Sequence, residues 1–381
     1  MQYFYFVIIL ILIIEIIIFL SYKKIKNKFP WMISREDLYP KFDKNKFLSF
    51  KYHRYDLNLG WSLKPGYKNF DKVNKKKINY SIDKRGFRSK RKFKKELIAS
   101  FGDSYVFCRQ VINKDTWQEQ MTKNKNYCVL NFGEGNFGFD QSILKYEKTK
   151  LKKETKFIIQ GFVPETITRI QSEWKHFLEF GNIHAFKPKF QLINGKLVLK
   201  KNSLKKNTKI ENLHKIINKI KHTDRFYNEK FSKHTLQFPY SVNFFKNFFF
   251  NYKIFLNFYL YNLMKLYSLK SISIENKLFE IVVKNNLEIS HGLYRENLSK
   301  NLMSRLIKKY VNITGKNNHI PILIVFPQLL DLKLKTSNLY KNYFKDLTID
   351  VHVIDLTDYM HVYNIKKLYK LMELLQNLDL K

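Results

Sequence analysis

The chain reads as an α/β fold built on a parallel sheet, and three observations point there. Short apolar runs with the character of buried strands recur near 97–101, 127–132 and 156–163, each bounded by turn signals. Helical segments stand between them, near 115–123 and 139–152. Two more strand-like runs, 320–326 and 350–354, return after a long helical stretch. One α/β core in two parts, 96–180 and 316–381, is therefore expected, interrupted at 181–315 by an insertion or helical cap. No internal repeats are visible.

Tyr3 to Leu20 is almost wholly Ile, Leu, Phe and Tyr, with Glu15 its only charge. Its 18 residues would span about 27 Å as a helix, close to the hydrocarbon thickness of a bilayer. Glu15 should cost a few kcal/mol near the centre, but the large aliphatic residues, at about −0.5 kcal/mol each, outweigh it. No basic segment precedes the stretch and no small-residue cleavage site follows it, so residues 1–22 read as a retained anchor. Lys23, Lys24, Lys26 and Lys28 follow at once. The positive-inside rule then places the large domain in the cytoplasm.

Residues 23–95 form a basic, turn-rich lead-in with a β-hairpin expected around Lys77–Arg88. A helix opens at Pro164-Glu165-Thr166, where Pro suits a first turn. Asn194-Gly195 between Phe190–Ile193 and Leu197–Leu199 is a hairpin signal. From about 242 to 315 the pattern is helical. Its aromatic part, Phe244–Tyr267, carries enough Asn and Lys to read as a buried or cap helix instead of a second membrane span.

The 381 residues suffice for one large or two modest domains. A net charge of +38 would ordinarily suggest nucleic acid or an anionic surface. Only ten of the 70 basic residues are Arg, however, and Lys, Asn, Ile, Phe and Tyr are inflated together, as A/T-rich codons produce. A phosphate reader would favour the Arg fork, so the charge argues for solvated loops and against nucleic acid. Cys108 and Cys128 permit at most one disulfide, so the chain is no disulfide scaffold.

The most informative segment is Ile98-Ala-Ser-Phe-Gly102-Asp103-Ser104-Tyr105. A Ser where a parallel strand hands over to a helix exposes its hydroxyl at the crevice in which open α/β sheets bind ligands. Gly102 permits a tight turn, and Asp103 can fix it by accepting backbone N–H groups. The bland alternative is an ordinary strand-end turn. Further on, Asn131-Phe-Gly133-Glu-Gly135-Asn136-Phe-Gly138 repeats the sequence of strand, glycine-rich loop and helix start. Upstream stand Leu59-Gly60-Trp61-Ser-Leu-Lys-Pro65-Gly66 and Tyr80-Ser-Ile-Asp-Lys-Arg85-Gly86-Phe87-Arg88.

In these blocks, over roughly residues 55–175, the sequence resembles the SGNH/GDSL hydrolase superfamily, in its bacterial branch linked to polysaccharide acylation and deacylation. The resemblance implies a flavodoxin-like three-layer sandwich around a central parallel sheet. It implies an ester hydrolase or O-acyltransferase acting on acylated saccharides, without a cofactor or metal. Ser104 would be the nucleophile, with its own N–H and one from the Gly133–Gly138 loop holding the oxyanion. The chain carries Asn136 where relatives usually have the donor Gly. Where they have an oxyanion-hole Asn, it has Pro164-Glu165-Thr166; Thr166 could donate through its hydroxyl, whereas an ionised Glu165 would repel an oxyanion. His176 reads as a surface or packing residue.

The superfamily's C-terminal Asp-x-x-His would be Asp358-Tyr-Met-His361, past the last strand and ahead of a helix at Asn364–Leu375. A competing reading has Asp355-Leu-Thr357 and Asp358 merely end the strand and cap a helix. The usual Gly-His and Asn-x-x-Gly are absent, and truncation or a shifted reading frame after Tyr369 would account for that. The alternative function is a non-catalytic relative retained as a binding or assembly component of a surface-polysaccharide system.

Overall fold

The structure is a computed structural model describing residues 1–43, 45, 53–73, 76–88, 95–123, 125–205, 208–267 and 273–362, the side chains of 2, 53, 69–73, 76, 77, 361 and 362 excepted. It divides into two compact units. One comprises Met1–Phe42, Trp174–Ile183 and Lys209–Asn286; the other comprises Asp43–Glu173, His184–Thr208 and Leu287–Lys381. The region expected as one insertion is therefore shared: its middle belongs with the N-terminus, its flanks with the α/β unit.

In chain order the main elements are helix α1 (Gln2–Lys28), strand β1 (Ile98–Gly102), α2 (Ser104–Phe107), α3 (Trp117–Met121), β2 (Val129–Gly133) and α4 (Phe139–Lys148). There follow β3 (Phe157–Phe162), α5 (Thr166–Arg169), α6 (Leu213–Thr223), α7 (Tyr240–Lys246) and α8 (Phe248–Leu266). The last are α9 (Ile274–Leu293), α10 (Asn297–Lys316), β4 (Ile320–Val325), α11 (Asn338–Lys345), β5 (His352–Asp355) and α12 (Leu356–Val362).

The five named strands form one parallel sheet in the order β5-β4-β3-β1-β2. This is the flavodoxin-like order 2-1-3-4-5. Side chains alternate across the sheet. Gln160 and Phe162 meet α4, through Ser142 at 2.6 Å and the Phe139 ring at 5.1 Å. Tyr310 of α10 lies on the same face and donates to the Ile158 carbonyl at 2.6 Å. On the other face Ser100 accepts from Gln118 of α3 at 3.2 Å. Val106, Val163 and Phe326 cluster there with Trp117 and Leu356. Apolar runs without alternation are what a sheet covered on both faces requires. Each fully buried Phe, such as Phe101 and Phe132, stabilises the unit by about 2–3 kcal/mol.

Lys68–Val73 pairs with Lys76–Ser81 in an antiparallel ladder. Within the expected Lys77–Arg88 span, Ile82 bridges Arg88 across a turn in which Asp83 N–H donates to the Phe87 carbonyl at 2.8 Å, and Arg88 also bridges Asn131 of β2. The hairpin at Asn194-Gly195 forms as expected, both turn residues taking positive φ (50° and 73°). The expected helix at Asn364–Leu375 lies outside the described residues.

In the other unit, His176 is buried among Trp174, Phe180 and Phe231, which corrects the surface half of its expected role. Its Nε2–H donates to the Asp37 carbonyl at 2.9 Å, and its Nδ1 accepts from Gly181 N–H at 3.2 Å. Both bonds require the neutral ring, and burial pushes its pKa down to about 4. A histidine depressed on folding contributes stability present above its unfolded pKa of about 6.5, lost as pH falls towards 4. Acidification across that window is expected to remove about 3 kcal/mol, and His176→Gln to flatten the loss, as read by thermal unfolding.

Candidate active site at the carboxyl edge of the sheet

From the end of β1 the chain crosses to β2 on one side, whereas from the end of the adjacent β3 it crosses to β4 on the other. That reversal is the topological switch point, where open α/β sheets hold their ligands. Gly102, Gly133 and Gly161 lie in register across β2, β1 and β3. A Cβ on Gly102 would stand 1.9 Å from the Gly161 carbonyl oxygen, and its φ of +150° also disfavours other residues. A Cβ on Gly133 would stand 2.2 Å from the Phe107 backbone nitrogen. These glycines let α2 settle directly onto the strand ends.

Asp103 caps α2. Its Oδ1 accepts from Tyr105 N–H at 2.9 Å and its Oδ2 from Val163 N–H at 2.9 Å, so the turn before Ser104 is tied to the end of β3. Ser104 is half-buried at the head of α2. Among the described residues its hydroxyl has no hydrogen-bond partner. Cys108 is no rival nucleophile: burial pushes its thiol up to about 11.

Arg169, which the sequence reading passed over, joins the surrounding loops. Its guanidinium reaches Glu165 at 3.0 Å, Asp103 at 3.5 Å and the Phe137 carbonyl at 3.3 Å. Gln328, beyond β4, donates to the same Glu165 carboxylate at 3.3 Å. The Glu165 charge expected to repel an oxyanion is thus paired with Arg169, a cation it shares with Asp103. The available signal was compositional, because an Arg among so many Lys marks a site needing a planar fork. Arg169→Lys is expected to keep the charge but lose the shared bonds, lowering stability by about 1–2 kcal/mol in denaturant titration.

Thr166 is fully buried, and its hydroxyl accepts from Phe139 N–H at 2.8 Å, linking the third block to the second. Gly133 N–H donates to the Asn131 side chain at 3.0 Å, so this residue supplies space and not an oxyanion donor. Asn136 is exposed with φ of +67°, a left-handed conformation that Asn tolerates better than most residues other than Gly.

Asp358 lies in α12 with its side chain 69% exposed and is ion-paired to Lys341. That surface pairing differs from a carboxylate buried behind a histidine. His361 falls one helical turn on in α12, and its side chain lies outside the described residues.

A His–Asp pair that the sequence did not suggest is fully buried nearby in the chain's network. His291 Nε2 meets Asp331 at 2.8 Å and its Nδ1 meets Thr336 at 2.8 Å. Asp331 in turn accepts from Gln328 N–H at 2.6 Å. With both ring nitrogens engaged, His291 fixes the loop after β4 and has no nitrogen free to take a proton from a substrate.

No protein-family model matches the chain, and no curated protein sequence matches it.

Proposed function

We propose that the protein is a membrane-anchored, SGNH-like serine ester hydrolase or O-acyltransferase acting on acylated saccharides. The observation that carries this reading is Ser104, held by a capping aspartate at the switch point of a parallel sheet with its hydroxyl unengaged. In the reaction Ser104 Oγ attacks the ester carbonyl and gives its proton to a base, for which His361 is the candidate. The carbonyl oxygen, now anionic, is held by backbone N–H groups at the head of α2 and in the Asn136 loop. The sugar oxygen leaves with the proton, and water or a second sugar hydroxyl then takes the acyl group from Ser104. Residues 1–22 hold the enzyme in the bilayer, and the lysines after α1 favour a cytoplasmic domain.

A second reading has a specific observation behind it: Asp358 is committed to Lys341 at the surface. In that case the chain binds acylated glycan without turning it over. A fluorophosphonate probe on the full chain separates the two. Covalent labelling of the wild type, absent in Ser104→Ala, supports the enzyme; absence of labelling in both after prolonged exposure supports the binding protein.

A further inference from the structure

The single charge in the apolar part of α1 is not left alone. Glu15 is buried, and its carboxylate accepts from the backbone N–H groups of Tyr240 at 2.6 Å and Ser241 at 2.9 Å, and from the Ser241 hydroxyl. The rings of Phe19 and Tyr22 pack on Tyr240. On α8, Tyr259 donates to Ser21 at 2.7 Å, while Lys24 and Lys28 lie over the rings of Tyr259 and Phe258. Helices α7 and α8 therefore run against the second half of α1.

The outer face of these helices is apolar. Phe249, Tyr252, Leu256, Leu260 and Leu263 are all exposed, Phe249 to 76%, at the three- and four-residue spacing of one stripe on α8, and Phe245 of α7 is exposed before them. A soluble protein rarely leaves so long an aromatic stripe in water. Among the polar side chains of α8, Asn257 donates to the Lys253 carbonyl at 2.8 Å and Asn262 to the Phe258 carbonyl at 2.7 Å, while Lys253 is exposed on the stripe itself. A lysine there can lay its apolar stem along the stripe and carry its ammonium to the headgroups.

We infer that α7 and α8 lie within one leaflet of the bilayer beside α1, with lipid acyl chains covering the stripe. This rests on the reading of α1 as a membrane-spanning helix. Lys23 stands eight residues after Glu15, about 12 Å along a helix axis. With Lys23 at the interface, Glu15 is close to the middle of a hydrocarbon layer about 30 Å thick. The amides bonded to it must share its depth, which carries the start of α7 into the apolar layer. Tyr259, Lys24 and Lys28 then fall at the interface, where tyrosines and lysines anchor. The element enters and does not cross. Among the described residues only α1 is long and apolar enough to span.

The test places the photoreactive amino acid benzoylphenylalanine singly at Phe249, Leu256 or Leu263 of the full chain, in phosphatidylcholine–phosphatidylglycerol vesicles. Ile9 in the anchor and Lys150 on the α/β unit serve as controls. Irradiation is expected to give phospholipid adducts at Ile9 and at all three stripe positions, several-fold above Lys150, by intact-mass spectrometry. Adducts at Ile9 with background yield along the stripe would overturn the inference and leave the anchor standing. Crosslinked dimers in place of lipid adducts at the stripe would overturn it in favour of a second copy of the chain. Background yield at Ile9 itself would remove the anchor reading, and this inference with it.

Discussion

Ser104→Ala is expected to abolish hydrolysis of a short-chain aryl ester while leaving the unfolding temperature unchanged. The serine hydroxyl forms no hydrogen bond with any described residue, so removing it costs the fold less than about 0.5 kcal/mol. Chemistry, by contrast, would lose its proposed nucleophile, and the rate should drop by about 10⁴-fold or more. The two readouts must move apart: a large loss in kcat/KM at constant Tm. Equal rates for both proteins would exclude Ser104 as the nucleophile.

The second large effect is structural. Gly133→Val would drive a branched side chain into the backbone of Phe107 and Val106, where even a Cβ stands 2.2 Å and 2.6 Å from main-chain atoms. Backbone contacts cannot be relieved by a rotamer change, so α2 must leave the strand ends. A loss of about 4 kcal/mol or more is expected, at the far end of single-substitution effects. The variant should also lose Ser104 reactivity, since α2 carries that residue. Circular dichroism and probe labelling read the two consequences. A variant with wild-type stability would show that the strand ends do not approach as described.

The parallel sheet was legible in the sequence because a strand covered on both faces carries few polar residues. Ile98–Phe101 and Ile158–Ile159 advertise this directly. The glycine-rich turns were legible for the complementary reason, that close backbone approach admits no Cβ. Buried ion pairs were not legible. Lys187 bonds Asp140 at 2.5 Å and Lys145 bonds Glu134 at 2.5 Å, all four residues buried. Each lysine looks in sequence like any of the other lysines that crowd this chain. The unit division was equally hidden, because no local pattern announces that Glu15 will meet Tyr240. The segment 244–267 was expected to be buried or a cap, since composition alone does not say which face of an apolar helix its neighbours cover. Of the proposed site, Ser104, Asp103 and the loop around Asn136 come to one edge. Asp358 is exposed and paired with Lys341, a partner that the spacing of a motif cannot reveal.

Arg169 has a consequence for how a ligand would be received at the proposed site. By bonding Asp103, Phe137 and Glu165, with Gln328 attached through the last, it ties the loops after β1, β2, β3 and β4 into one largely buried network. Moving one of these loops alone would break those bonds, which opposes closure over a ligand. Under the proposed function, selection would then rest on a shape fixed before the ligand arrives, with its ordering entropy already spent in folding.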